Sequence, residues 1–377
     1  MVEWNGSQTS ELEECDESLL HLVASALFYI AETHERGIAQ SAPYPPIVQR
    51  ALDRLAAVFL LRGHNPPQSL HGLFDLCRQP LVEWPLNLPD ACFGSDDSLL
   101  DRDRLTNLCD EWALKRVMDV EAELSQQRLI DEVRKTCRNQ NRQDTYVEFR
   151  KTLIEHPVIE QLELLEKLNS SALQAVRDLV KNCYISAPSC HVDDGQFRCC
   201  VVCQGLLQRS NETEFVCENE NCRVNGEFAT GRRFGSDQGV LWLRREHRRF
   251  IAAPGIAELS IYEKLLDLAD SDQFEVELWP NFDSYDILVR FENSIVWAID
   301  VKDQKCPYLL GQNARAPISS PPWDRAFFVF PDKRKSRSDY MRAFKNRTQV
   351  LGGVVEASFA SELIVRVIKE SRRKANA

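Results

Sequence analysis

Four cysteines place the hardest local constraint on this chain. Cys200-Val-Val-Cys203-Gln-Gly205 forms one short knuckle, and Cys217-Glu-Asn-Glu-Asn-Cys222 forms a second after a thirteen-residue spacer. Two thiolates a few residues apart can reach one tetrahedral ion from a turn, and a hairpin-sized spacer brings the second pair to the same ion. Four sulfurs close the coordination sphere of Zn²⁺, so such a site is structural rather than catalytic. Gly205 is expected to supply the positive φ of the first knuckle. Cys199 is the alternative first ligand, and Cys190 and His191 lie near enough to substitute. The pattern is that of a four-Cys zinc ribbon. The chain has thirteen cysteines, an odd and scattered set that does not suit a disulfide framework and points to a reducing compartment.

The 377 residues suffice for two or three domains. No stretch approaches the roughly 20 apolar residues of a membrane helix. Met1 to Ser18 is acidic and polar rather than signal-like, so a cytoplasmic location is expected. The net charge of −11 is unevenly placed. Residues 186–377 hold 27 Lys and Arg against 27 Asp and Glu, and residues 1–185 hold 19 against 30. Two basic groups stand out in the second half. One is Arg232, Arg233, Arg244, Arg245, Arg248 and Arg249; the other is Lys333, Arg334, Lys335, Arg337, Arg342, Lys345 and Arg347. Local patches, not global charge, carry phosphate contacts, though basic runs are also ordinary solvated surface.

Apolar periodicity predicts a mostly helical first half, residues 1–185. Helices are expected over 17–35 and 48–62, then as long helices over 100–150 and 157–184. The first of the long helices carries Trp112, Leu114, Val117 and Val120. Between Ser186 and Val240 the texture changes to Cys, Asn, Gly and Arg, the ribbon segment. From 241 to 377 strands and helices alternate, as in an α/β domain. The expected class is therefore multidomain α+β.

Within the last segment, Phe274-Glu-Val-Glu-Leu-Trp279 alternates like a half-buried strand, and Asn293-Ser294 suits a hairpin turn. Asp286 opens the apolar run Ile287-Leu288-Val289. Ile295-Val296-Trp297-Ala298-Ile299 ends in Asp300-Val301-Lys302. Side chains alternate along a strand, so Asp300 and Lys302 share a face. Two carboxylates and an ammonium at the ends of adjacent strands suit hydrolysis assisted by a hard cation, Mg²⁺ or Mn²⁺. Asp286 and Asp300 are the candidate ligands, and Lys302 would orient or activate water. Ala326–Phe330 reads as a central strand, Ser338–Arg347 as a helix and Val354–Ser358 as a further strand. Trp279 and Trp297 read as sheet core.

The strand order and the pattern Asp286…Asp300-Val-Lys302 resemble the PD-(D/E)XK restriction-endonuclease-like superfamily. That resemblance implies a mixed sheet and a glutamate on the helix before the first strand. Glu258 fits that place, with Glu263 as runner-up, and the resemblance implies that Glu258 and the Val301 carbonyl add oxygen donors to the one or two Mg²⁺ ions held by Asp286 and Asp300. Tyr285 stands where the family often has Pro, and Asp283 could replace Asp286 as the motif aspartate. The four-Cys ribbon, Pro254-Gly255-x-x-Glu258, Tyr285-Asp286-Ile287, Ala298-Ile-Asp-Val-Lys-Asp303 and Val329-Phe-Pro-Asp332 are similar to the nuclease-like protein associated with prokaryotic PIWI-type (pPIWI-RE) defence modules. The similarity covers residues 190–350. It implies a metal-dependent endonuclease acting on invading DNA, beside a PIWI-like protein and a helicase. RNA or an RNA–DNA hybrid remains open as substrate, and a homodimer would suit cutting of two strands. The alternative reading is a catalytically silent ribbon module that binds nucleic acid or protein.

Overall fold

Five apolar segments in the last third of the chain assemble one mixed sheet, which organises everything around it. The computed structural model describes residues 16–35, 41–89, 92–113, 120–210, 214–224 and 227–373. Leu114, Val117 and residues 1–15 lie outside the described residues. The chain divides into two compact units: Met1–Glu121 with Gln304–Asn313 and Arg337–Thr348, and Ala122–Asp303 with Ala314–Ser336 and Gln349–Ala377.

The first unit is helical. It contains α1 (Glu17–Glu35), α2 (Pro46–Leu61), α3 (Leu70–Cys77) and α4 (Asn107–Ala113), and the two later helices Pro307–Asn313 and Tyr340–Arg347. Ser69 caps α3, its hydroxyl accepting from the Gly72 N–H at 3.2 Å. Leu20, Leu27, Leu55, Trp112, Cys306 and Leu309 meet in its core.

The second unit begins with α5 (Val120–Asn139) and α6 (Gln143–Glu155), separated by Asn141 in the left-handed region at φ 51°. The segment expected as one long helix over 157–184 is not one. Strand β1 (Val158–Glu160) is followed by α7 (Gln161–Leu168), α8 (Arg177–Asn182) and strand β2 (Tyr184–Ser186). Pro157 has no N–H to continue a helix, and Val158 and Ile159 are β-branched. Among the described residues, the segment expected as a helix over 100–150 holds a small hairpin over Leu100–Leu105, then α4, α5 and α6, with α5 and α6 parted at Asn141.

The cysteine segment supplies β3 (Gln196–Cys200), β4 (Leu207–Arg209), β5 (Phe215–Cys217) and β6 (Thr230–Gly235). Strand β7 (Val240–Leu243) then lies between β1 and β2, antiparallel to both. Helix α9 (Ala253–Asp272) follows a π turn at Arg248–Ala252 and ends at Gln273, left-handed at φ 57°.

The main sheet has the order β8 (Phe274–Leu278), β9 (Ile287–Phe291), β10 (Val296–Val301), β11 (Arg325–Phe330) and β12 (Val355–Phe359). The first three strands run antiparallel; β10, β11 and β12 run parallel. Strand β11 is buried over Ala326–Phe330, as befits an interior strand with both faces covered. Helix α10 (Ala360–Arg372) closes the chain's described part. Phe149, Leu153, Leu265, Trp279, Ile299 and Phe327 share one core, so α6, α9 and the sheet form a single packed body. The whole is a mixed α/β chain with a helical N-terminal half, a four-cysteine segment and a C-terminal mixed sheet. Among the described residues no helix is long and apolar enough to cross a membrane.

Candidate metal centres

Strand alternation sorts the ribbon cysteines. Cys199 and Cys200 are consecutive on β3 and point to opposite faces. Cys200 joins Cys203, Cys217 and Cys222, whose sulfurs all lie within 4.8 Å of one another. Cys199 instead enters an apolar cluster with Phe197, Leu206 and Trp242, and burial pushes its thiol up to about 12. The Val202 N–H donates to the Cys200 sulfur and the Asn219 N–H to the Cys217 sulfur, each at 3.4 Å. Such donors favour the thiolate and orient the ligand. The donor set, four soft sulfurs in a closed group, fits a metal such as zinc. The turn differs from expectation in one respect: Gln204, at φ 57°, takes the left-handed position. Gly205 does not take a positive φ, and a Cβ there would meet the Cys203 sulfur at 3.4 Å. Cys190 is exposed, and His191 packs edge-on to Trp242 at 4.9 Å.

The carboxylates meet at one end of the main sheet. Asp286 immediately precedes β9. Its N–H donates to the Ile299 carbonyl at 3.1 Å, and its Oδ2 accepts from the Val301 N–H at 2.5 Å. Across the antiparallel pair, Ile287 faces Ile299, which sets Asp286 beside Asp300. Lys302 follows β10, anchored by its N–H to the Val329 carbonyl at 2.8 Å, and its Nζ donates to Asp300 Oδ1 at 2.7 Å. The sheet therefore gathers Asp286, Asp300 and Lys302.

Electrostatics shows what the group lacks. Burial raises the Asp286 carboxyl well above the usual range, and the nearby Glu258 and Asp300 raise it further. Burial also works against the Lys302 ammonium, but Asp300 and Asp286 outweigh it and hold the lysine above its ordinary value. The Lys302 ammonium is thus held beside Asp300 and Asp286. Hard oxygen donors that repel one another are short of a cation, and the donor set of Asp286 and Asp300 fits Mg²⁺ or Mn²⁺. Yet among the described residues only the cysteines bring three ligand atoms within 4.8 Å of one another. A third carboxylate does not close in.

Glu258 is the reason. It lies on the buried face of α9, whereas Glu263 is exposed. Glu258 Oε2 accepts from Arg150 Nη2 at 2.9 Å and from Trp279 Nε1 at 2.6 Å. Burial raises its carboxyl, although Arg150 opposes the shift. Arg150 also donates to Asp283 Oδ2 at 2.6 Å and stacks over the Trp279 ring at 4.4 Å. Asp283 receives Tyr146 at 2.9 Å and Arg134 at 3.0 Å as well. Asp283 is consequently enclosed by donors, and Asp286 is the aspartate that faces Asp300 and Lys302. Residues 279 and 281–283 all have left-handed φ between 47° and 73°. Gln143 clamps that turn from α6, bonding the Trp279 carbonyl at 2.7 Å and the Phe282 N–H at 2.8 Å. Arg134, Gln143, Tyr146 and Arg150 carried no motif in the sequence. The only hint was a charged residue, Arg150, in line with Phe149 and Leu153 on an apolar helix face.

The basic groups are largely engaged. Arg248 is buried, holds Glu218 through two bonds at 3.0 and 2.7 Å, and lies 3.6 Å over the Trp242 ring. Arg232 pairs with Glu163 at 2.7 Å. Arg334 and Lys333 pair with Asp303 at 2.9 and 2.6 Å, and Lys335 with Asp332 at 2.8 Å. Arg337, Arg342, Lys345 and Arg347 fall in the helical unit, and Lys333, Arg334 and Lys335 in the unit of the main sheet.

A mixed sheet bearing paired aspartates and a lysine at adjacent strand ends, beside a closed four-thiol cluster, has the parts of a restriction-endonuclease-like domain. Residues 255–375 match the family model of the REase associating with pPIWI_RE, and residues 19–160 match that of the pPIWI_RE three-gene island domain Y. These matches tie the chain to pPIWI_RE modules and mark residues 255–375 as a restriction-endonuclease-like domain. No curated protein and no solved structure matches the chain.

Proposed function

We propose that the chain is a metal-dependent endonuclease of a pPIWI_RE defence module, hydrolysing phosphodiester bonds of invading DNA. The observation that carries this reading is the juxtaposition of Asp286, Asp300 and Lys302 within the matched REase segment. Residues 241–377 form the nuclease-like segment, 186–240 the ribbon and 1–185 the helical half. Cys200, Cys203, Cys217 and Cys222 would hold a structural zinc ion.

Asp286 and Asp300 would hold Mg²⁺ or Mn²⁺, which when bound supplies Lewis-acid polarisation of the phosphate and a lowered pKa for water. Asp300 keeps the Lys302 ammonium in place at 2.7 Å. Lys302 faces the charge that grows on the phosphate oxygens as water adds to phosphorus and the bond to the leaving sugar oxygen breaks. The Val301 N–H fixes one oxygen of Asp286 and leaves the other for a ligand. Glu258 shapes the floor of the site from α9. A PIWI-like protein and a helicase encoded in the same module are the expected partners, and a homodimer would place two sites on two strands.

Cleavage of plasmid and single-stranded DNA with Mg²⁺ or Mn²⁺ tests the reading. Lys302→Ala and Asp300→Ala should each lower the rate at least about 100-fold, the usual scale for losing one group that stabilises developing charge. Wild-type chain that cuts nothing with either metal, even with its module partners added, would favour a silent binding module.

A further inference from the structure

Glu258 is placed to be a third metal ligand, but its surroundings commit it elsewhere. Its Oε2 accepts from Arg150 at 2.9 Å and from Trp279 at 2.6 Å, and among the described residues Glu258, Asp286 and Asp300 do not bring three ligand oxygens within 4.8 Å of one another. Glu258 and Arg150 are both buried, and the guanidinium is pinned from a second side by Asp283 and from a third by the Trp279 ring. Swinging Glu258 toward Asp286 would leave the indole N–H without its acceptor and strip Arg150 of one of its two carboxylates. Uncompensated buried donors and charges are costly, so the present arrangement resists that swing.

The charge count agrees. Glu258, Asp283, Asp286, Asp300 and the exposed Asp131, 3.8 Å from Arg134, bring five negative charges when ionised, and Arg134, Arg150 and Lys302 bring three positive ones. Fully ionised, the group carries two net negative charges. One divalent cation brings it to neutrality; two would leave it positive in a largely buried setting.

We propose that Arg150 and Trp279 withhold Glu258 from the cation, leaving a two-carboxylate site of Asp286 and Asp300 that takes a single divalent ion. Arg150 is then a positioning residue of the nuclease site, delivered by α6 from outside the matched REase segment. This rests on the metal-site reading above, and the test separates the two.

Mn²⁺ binding to the full-length, zinc-loaded chain should be followed by calorimetry and electron paramagnetic resonance. One equivalent is expected, weakened at least about 10-fold by Asp286→Asn or Asp300→Asn and less than about 3-fold by Glu258→Gln. Arg150→Met releases Glu258 and should tighten Mn²⁺ binding by about 10-fold, an effect that a merely structural role would not produce. The paired change Arg150→Met with Glu258→Met removes both charges together and guards against misfolding by a lone buried charge; it should keep one equivalent at near wild-type affinity. Two equivalents in the wild type, or a loss with Glu258→Gln as large as with Asp286→Asn, would overturn the proposal. Mn²⁺ uptake indifferent to Asp286→Asn and Asp300→Asn would instead remove the metal-site reading itself.

Discussion

At Asp283, Tyr146, Arg134 and Arg150 donate to a single carboxylate oxygen. Burial alone would raise this carboxyl, but Arg150 and Arg134 outweigh it and hold it below its ordinary value of 3.8. A depressed folded-state pKa means stability that is present at neutral pH and lost as pH falls below about 4 toward the folded value. Asp283→Asn should therefore destabilise the chain by about 3 kcal/mol at pH 7, the cost of breaking a buried ion pair from one side. The deficit should shrink between pH 4 and pH 2. Urea unfolding at pH 7 and at pH 3 checks both statements, and an equal deficit at the two values would show that the ionised form carries no stability. The sequence favours Asp286, which opens its strand, and leaves Asp283 as the alternative because both sit in one loop. Only the position of α6 distinguishes a donor-enclosed aspartate from one that faces Asp300 and Lys302.

Elements decide how those side chains meet. Helix α6 can approach α9 because Gly255 has no side chain: a Cβ there would lie 2.3 Å from Ile154 Cδ1 and 2.6 Å from its Cγ1. Gly255→Ala is expected to cost about 1–3 kcal/mol by overpacking. Ile154→Ala opens the matching space, so the double variant should be more stable than the sum of the single effects by at least about 1 kcal/mol. Additive effects in denaturant melts would place the strain elsewhere. The four-cysteine segment is joined to the same body by Glu218, next to Cys217 of the cluster, which grips Arg248 at the π turn leading into α9. Zinc removal by a strong chelator, or Cys217→Ser, should accordingly lower the melting temperature of the whole chain and release about one zinc equivalent. Unchanged melting would mean the ribbon folds as an independent appendage. Strands β8 to β12 were legible because each is a five- or six-residue apolar or alternating run bounded by turn residues. Strands β1 and β2 were not, since three residues show no period and their partner β7 lies more than 50 residues downstream of either. The positive φ at Gln204 rather than Gly205 was equally hidden, because spacing identifies a knuckle but not which residue takes positive φ.

At the scale of the molecule, chain order and spatial order part company. The domain Y match ends at residue 160 and includes α6, yet α6 packs in the unit of the main sheet. Conversely, the matched REase segment contains Pro307–Asn313 and Tyr340–Arg347, which belong to the helical unit, where Cys306 and Leu309 enter the core. Sequence texture changes near 186 and 241 mark the ribbon, but they say nothing about these exchanges, which depend on contacts between distant segments. A consequence follows for fragments. Residues 241–377 alone would lack Arg134, Gln143, Tyr146 and Arg150, leaving Asp283 and Glu258 buried without their cations and the left-handed turn at 279–283 without its clamp. They would also carry two helices whose apolar faces have lost their own core. Such a fragment should bind a hydrophobic dye, lack near-ultraviolet circular dichroism and unfold without a cooperative transition, and the full chain should show both the dichroism and a cooperative transition. A fragment that melts sharply and retains Mn²⁺ binding sensitive to Asp300→Asn would show instead that the sheet needs neither α6 nor the helical unit to build its site.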